Sequence, residues 1–161
     1  MDHNFFIKLL DQFTSSVEAG KGKTLAALFT EDGIYNDTFY GRFEGRGAIA
    51  QMLEELFWGD ADAFLWDMMD PIFDTKQQLG YVRWVFSYTS TMEDSVGKRV
   101  VFDGMSQFLL REGLIKVYRE IFSAGLALVQ LKMDPKRTTK ILERMVMLHN
   151  NDPEHHKHIS I

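Results

Sequence analysis

The stretch that decides the fold is Gln77-Gln78-Leu79-Gly80-Tyr81-Val82-Arg83-Trp84-Val85-Phe86-Ser87-Tyr88-Thr89-Ser90-Thr91-Met92, continued by Arg99–Arg111 and Leu114–Phe122. These runs are rich in aromatic and β-branched residues, and they follow the two-residue period at which successive side chains take opposite faces of a pleated strand. Phe64–Asp74 has the same character. Turn clusters at Asp74-Thr75-Lys76, Met92–Lys98 and Arg111-Glu112-Gly113 divide the runs. Long strands joined by such turns predict an antiparallel sheet.

Upstream the period is helical. Phe5, Phe6, Leu9, Leu10, Phe13 and Val17 form one face, with Asp2 or Asn4 as N-cap and Gly20 as a stop. A short helix follows at Lys23–Phe29, then a short strand Gly33–Asp37 runs into the loop Thr38–Glu44. A third helix opens near Gly47, presents Ile49, Met52, Leu53, Leu56 and Phe57 on one face, and ends at Gly59-Asp60. Three helices followed by a run of strands predict an α+β domain with the helices on one face of a curved sheet.

Past the sheet, Asp134 and Pro135 stand as N-cap and first residue of a further helix. Ile141, Leu142, Met145, Val146 and Leu148 form its apolar stripe, opposite Lys136, Arg137, Lys140, Glu143 and Arg144. Such a stripe needs a partner surface, either the domain itself or a second subunit. The chain thus divides into a domain over 1–132, a helical extension over 133–149 and a polar tail over 150–161. The His155-His156-Lys157-His158 cluster reads as part of a solvated tail and not as a metal site, because ligation needs held geometry.

Composition narrows the chemistry. The 161 residues carry 45% hydrophobic side chains, the profile of one folded domain. Eighteen Lys and Arg against 23 Asp and Glu leave a net charge of −5, which argues against nucleic acid and acidic membrane surfaces as partners. There is no cysteine, and the five histidines lie only at His3 and from His149 onward. Disulfides, thiolate chemistry, a Ser-His-Asp triad and a His-ligated metal within the domain are therefore not expected. No apolar run reaches the ~18 residues of a membrane span, and the residues Met1-Asp2-His3-Asn4 do not resemble a secretory signal, so a cytoplasmic location is expected.

Three stretches together carry a family resemblance: Phe29-Thr30-Glu31-Asp32-Gly33-Ile34-Tyr35-Asn36-Asp37, Gly45-Arg46-Gly47-Ala48-Ile49 opening a helix, and Gly113-Leu114-Ile115-Lys116-Val117-Tyr118-Arg119-Glu120-Ile121-Phe122. Over about Phe5–Leu131 the chain resembles the nuclear transport factor 2-like superfamily. Within it, the chain is most similar to the SnoaL-like polyketide cyclase group, with limonene epoxide hydrolase and ketosteroid isomerase as relatives. The resemblance implies a cone, a bent antiparallel or mixed sheet wrapped around the long third helix with an apolar pocket at the wide end. It also implies dimerisation through the convex face, on which Trp84 and Phe86 are expected as outward aromatic positions.

Carried over position by position, Asp37 falls where the isomerase has its base, while Phe13 and about Ser106 replace the isomerase's two oxyanion donors. Against the hydrolase, Arg83 falls on the arginine, Glu120 on the last-strand carboxylate, and Tyr35-Asn36-Asp37 on the water holder, with Val85 replacing the second Asp. The resemblance thus implies a catalytic set of Asp37, Arg83, Glu120 and Tyr35, with Tyr81, Tyr118, Phe13 and Phe122 as ligand contacts. If Arg83 faces the pocket, strand alternation places Tyr81, Val85 and Ser87 there too. Plainer alternatives stand beside these roles: Arg83 with Glu120 as a cross-strand ion pair, and Asp37 as a cap for the backbone of Phe39 or Tyr40. The expected function is cofactor-free acid–base chemistry on an apolar small molecule bearing a carbonyl or epoxide, or a non-catalytic binding or dimeric assembly module of the same fold.

Overall fold

Asp2 starts the first helix, its side chain accepting the Phe5 amide at 2.8 Å. In the computed structural model, which describes residues 1–160, this helix is α1 (His3–Glu18), and its face of Phe6, Leu9, Leu10, Phe13 and Val17 is buried. Gly20, at φ 64°, turns the chain into α2 (Gly22–Ala27). Next come β1 (Phe29–Asp37) and β2 (Gly41–Glu44). α3 (Arg46–Gln51) runs on through a π-helical turn, Met52–Phe57, into α4 (Trp58–Asp60). The sheet is completed by β3 (Ala61–Asp74), β4 (Leu79–Ser90), β5 (Arg99–Arg111) and β6 (Leu114–Phe122). α5 (Ala124–Gln130), α6 (Pro135–Asn150) and α7 (His156–Ile159) follow.

The six strands form one curved, unclosed sheet in the order β2-β1-β6-β5-β4-β3. Every neighbouring pair is antiparallel except β1 and β6, which run parallel. Asn36 pairs with Arg119 there, so the next residues along both strands, Asp37 and Glu120, come side by side. β3 is interrupted twice, with Ala63 at φ 49° and Asp70 at φ 55°. Such interruptions bend a strand and strengthen its twist.

The bowl is filled chiefly by α1. Phe6 stacks on Phe73 and meets Phe108 edge-on, while Phe13 lies among Tyr35, Trp66, Phe108 and Tyr118. The expectation that the third helix fills the cone is therefore corrected. α3 and its continuation close one side with Ile49, Met52 and Leu53, and α1 brings the large rings.

Two glycines make room for these rings. A Cβ on Gly80 would lie 2.3 Å from the Phe6 ring, and one on Gly104 would lie 2.5 Å from both the Trp84 indole and the Ile121 carbonyl oxygen. Trp84 is the direct cross-strand partner of Gly104, so the large ring occupies the space that the small residue leaves.

The phase of β4 is the reverse of the one expected. Val82, Trp84 and Phe86 are 1%, 1% and 8% exposed and point into the core, whereas Tyr81 and Arg83 are exposed on the outer face. The apolar alternate set goes inward because it removes more hydrocarbon from water, and with a period of two a choice of phase decides every position at once. Trp84 and Phe86 are accordingly not on the convex face. That face carries Leu65, Met105 and Ile121, which are strongly exposed.

α6 begins as its sequence predicts, the Asp134 carboxylate accepting the amides of Lys136 and Arg137 with Pro135 in the first turn. None of its residues is buried, and Leu142 and Val146 of its apolar stripe are exposed.

Replacing Gly104 with Ala drives a methyl group against a fixed carbonyl and the Trp84 ring. The expected loss is about 1–3 kcal/mol in urea unfolding, the usual cost of overpacking; unchanged stability would contradict this packing.

Candidate active site

Between the concave face of the sheet and helices α4, α5 and α6 lies a cavity of about 220 Å³. Phe64, Trp66, Trp84, Phe86, Phe102 and Phe122 form most of its wall. Its ionisable groups are few: Asp37 with Glu120, Asp60 with Tyr40, Tyr88, and Arg137 with Arg144 from α6.

Asp37 ends β1 and Glu120 nearly ends β6, so the parallel pairing of these strands aims both carboxyls at one place. Asp37 is 8% exposed. Its Oδ1 accepts the backbone amides of Phe39 and Tyr40, both at 2.7 Å. The plain capping role is therefore real, and it coexists with a place on the cavity wall. Glu120 Oε1 accepts the Thr38 amide at 3.3 Å, which holds its carboxyl on the same side as that of Asp37.

A buried chain leads to the other oxygen of Glu120. The Trp84 indole Nε1 donates to Ser106 Oγ at 2.7 Å, Ser106 Oγ lies 2.9 Å from Tyr118 Oη, and Tyr118 Oη donates to Glu120 Oε2 at 2.7 Å. An indole N–H only donates. Ser106 is thereby an acceptor from Trp84, and because Tyr118 gives its one hydrogen to Glu120, Ser106 is the donor at the Ser106–Tyr118 contact, so both hydroxyls point toward Glu120.

Both carboxyls hold their protons more tightly than ordinary ones. Burial pushes Glu120 well above the usual carboxylate range, and the neighbouring Asp37 charge pushes it further. Burial also raises Asp37, against which its two backbone amides act. Two carboxyls this close within an apolar wall do not both ionise readily, so the pair holds one proton in common, with the stronger upward push on Glu120.

Tyr40 Oη donates to Asp60 Oδ2 at 2.8 Å. Burial and then the Asp60 charge raise the Tyr40 phenol far above its ordinary range, and the same two causes push Tyr88 up to about 12. All these phenols stay protonated at neutral pH. The Trp66 indole N–H and the Tyr35 hydroxyl are buried without hydrogen-bond partners, which is uncommon for interior polar atoms.

The structure unites only part of the predicted set. Asp37, Glu120 and Phe122 border the cavity. Tyr118 does not, and instead supports Glu120 from behind. Tyr35 and Phe13, both fully buried, pack in the core rather than against the cavity, and their rings stack on each other. Arg83 is corrected: it stands on the outer face and pairs with Asp70 at 3.2 Å. The left-handed backbone of Asp70 at the β3 irregularity accompanies that pairing. A cross-strand pair of Arg83 with Glu120 is likewise ruled out, because β5 lies between their strands. Tyr81 faces outward too and receives a hydrogen bond from Gln107.

The sequence reading missed the roles of Ser106, Trp84, Tyr40 and Asp60. Taking the apolar set of β4 as the inward one would have placed Trp84, and with it its strand neighbours' inward positions. Nothing in the spacing of Tyr40 and Asp60 announces their contact. Among the described residues no three His, Asp or Glu side chains converge as a metal site. No described helix is long and apolar enough to cross a membrane.

A model of the SnoaL-like domain matches residues 10–118. The chain belongs to the SnoaL-like family. No curated protein matches it. Among solved structures, a protein of ketosteroid isomerase-like fold from Catenulispora acidiphila, crystallised with trimethylamine, is 13% identical with a TM-score of 0.70, over 78% of this chain and 93% of that one. An epoxide hydrolase from M. tuberculosis, like limonene epoxide hydrolase in type, is 18% identical with a TM-score of 0.64, over 80% and 90% of the two chains. The epoxide hydrolase/cyclase-like enzyme SalBIII, of pyran ring formation in salinomycin, is 17% identical with a TM-score of 0.66, over 77% and 95%. At these identities the likeness establishes the fold, the nuclear transport factor 2-like cone.

The raised pKa of Glu120 makes stability depend on pH. A group that binds its proton more tightly when folded stabilises the protein at low pH and loses that contribution as pH rises through its folded value. The midpoint of thermal unfolding should therefore fall as pH rises above the ordinary Glu range. In Glu120→Gln that fall should be reduced, and an identical pH dependence in the two proteins would contradict the buried pair.

Proposed function

We propose that this SnoaL-like protein is a cofactor-independent enzyme that moves protons on an apolar small molecule carrying a carbonyl or an epoxide, with Asp37 as base and Glu120 as acid. The observation that carries the reading is the pair itself: two buried carboxyls, Asp37 and Glu120, set side by side on the wall of an aromatic cavity, where burial raises both and Glu120 the more strongly. Relatives of the fold include an epoxide hydrolase and an epoxide hydrolase/cyclase-like enzyme, which is compatible with either substrate type.

With a carbonyl substrate, Asp37 takes the proton from the carbon beside the carbonyl while Glu120 gives its proton to the carbonyl oxygen, and an enol forms. Asp37 returns its proton at another carbon while Glu120 takes the enol proton, which gives an isomer; or the enol carbon attacks a second carbonyl, whose oxygen takes the proton from Asp37 as Glu120 takes the enol proton, and a ring closes with both groups restored. With an epoxide, Glu120 protonates the ring oxygen as its C–O bond breaks, and Asp37 takes a proton from the water that attacks the carbon, giving a diol. The epoxide step leaves Asp37 protonated and Glu120 ionised, and transfer of that proton between the adjacent carboxyls resets the site.

Ser106 and Tyr118 act through Glu120 as positioning residues. The exposed Leu65, Met105 and Ile121 of the convex face support a homodimer as the working unit.

The alternative is a non-catalytic binding module, favoured by the capping role that alone would account for Asp37. Screening styrene oxide, limonene oxide and cyclic unsaturated ketones with the wild type, Asp37→Asn and Glu120→Gln separates the two. The enzyme reading expects turnover that falls about 10²–10⁴-fold in each variant, the usual share of one acid or base. It also expects a bell-shaped pH profile lying above the ordinary carboxylate range, whose acid limb disappears in Asp37→Asn. Turnover that survives both changes would sink the assignment, and ligands bound without consumption would favour the binding module.

A further inference from the structure

α6 lies beyond residue 118, where the match to the family model ends, yet it supplies part of the cavity wall. What it adds is unlike the rest of that wall. Arg137, Ile141 and Arg144, spaced by four and three residues, share one face of the helix, and all three border the cavity. Arg137 and Arg144, expected opposite the apolar stripe that includes Ile141, thus reach the cavity together with it.

Depth orders the cavity chemically. Asp37 lies at the inner end at 8% exposure, and the aromatic wall residues Trp84 and Trp66 are as buried. Arg137 and Arg144 are exposed and form the solvent side. Arg137 is tethered there by Asp94, its Nη1 2.9 Å from Oδ2. Arg144 has no ion-pair partner among the described residues, so its guanidinium is free to meet a ligand. A guanidinium offers a planar fork of donors that matches a carboxylate or phosphate.

We infer that the ligand is an amphiphile with an oxyanion at one end, its apolar body against the aromatic wall and its carboxylate or phosphate held at the rim by Arg144 with Arg137. The inference rests on the reading of the cavity as the substrate site and adds the class of molecule it takes. An anionic head at the rim keeps clear of the Asp37–Glu120 pair and leaves the apolar body to present its reactive carbon there. A cavity of about 220 Å³ exceeds the ~150 Å³ that admits a benzene, so a ring or a chain of moderate length fits.

Four probes that share one alkyl chain test this directly: decanoate, decyl phosphate, decanol and decyltrimethylammonium, each below its micelle-forming concentration. Quenching of Trp84 and Trp66 fluorescence reports binding without any turnover. The wild type should bind at least one of the two anions about tenfold or more tighter than decanol, and the cation weakest, with the anion preference shrinking as salt is added. Whichever anion binds tighter identifies the head group as carboxylate or phosphate.

In Arg144→Gln the preference should collapse toward unity while decanol affinity holds, and in Arg144→Glu it should pass to the cation. Arg144 is exposed and unpaired, so circular dichroism should show both variants folded; Arg144→Lys should keep part of the preference. Equal affinity of anions and decanol for the wild type, tighter binding of the cation, or a preference unaffected in Arg144→Gln would each overturn the inference while leaving the catalytic proposal standing. Failure of all four probes to bind would overturn both.

Discussion

The structure turns on the parallel pairing of β1 with β6. Every other contact in the sheet is antiparallel, and each joins strands that are consecutive in the chain. Only this one joins β1 and β2 to the sheet, at the edge of the final strand. Its register sets Asp37 beside Glu120, and the helices on the concave face exclude water from that place. Two acids are thereby confined where only one of them ionises. Each remaining feature of the site follows from that constraint: the backbone amides that hold the Asp37 charge, and the oriented hydroxyls that reach Glu120.

The hydrogen-bonded chain behind Glu120 links packing to chemistry. Gly104 leaves room for the Trp84 ring, the seated indole N–H donates to Ser106, and Ser106 in turn donates to the Tyr118 hydroxyl whose own hydrogen goes to Glu120. A buried network of this kind is favourable only when each member is satisfied. Its direction also matters, because a phenol donating to Glu120 holds one oxygen of the carboxyl in place while leaving its proton for Asp37 or a substrate. A core glycine thus bears on the orientation of an acid several residues away on another strand.

The fold was legible because its signals are local and repeated. The change of hydrophobic period after Asp60, the turn clusters and the caps at Asp2 and Asp134 each survive in the structure. The inward phase of β6, with Tyr118, Glu120 and Phe122 on one side, was legible as well. The phase of β4 was missed because the motif resemblance gave Arg83 a role that its neighbours' hydrophobicity opposed. Val82, Trp84 and Phe86 outweigh Tyr81, Arg83 and Val85 as core residues, and burial decided the matter. Tyr40 with Asp60, and α6 over the cavity, were not legible, since each depends on the bend of the sheet and not on any spacing. Asp37 shows why a motif reading and a plain one need not exclude each other: the same two amides that cap a turn also stabilise the charge a base requires.

The protonation of the acid pair is the central claim, and carbon-detected NMR titration of the side-chain carboxyls measures it most directly. The account predicts that, with Asp37→Asn and Glu120→Gln used for assignment, the pair titrates in two separate steps. The first belongs mainly to Asp37, and the second, mainly to Glu120, lies well above the ~4.3 of an unperturbed glutamate. Two carboxyls that both titrate near their ordinary values, with neither step moved by loss of the other, would contradict it.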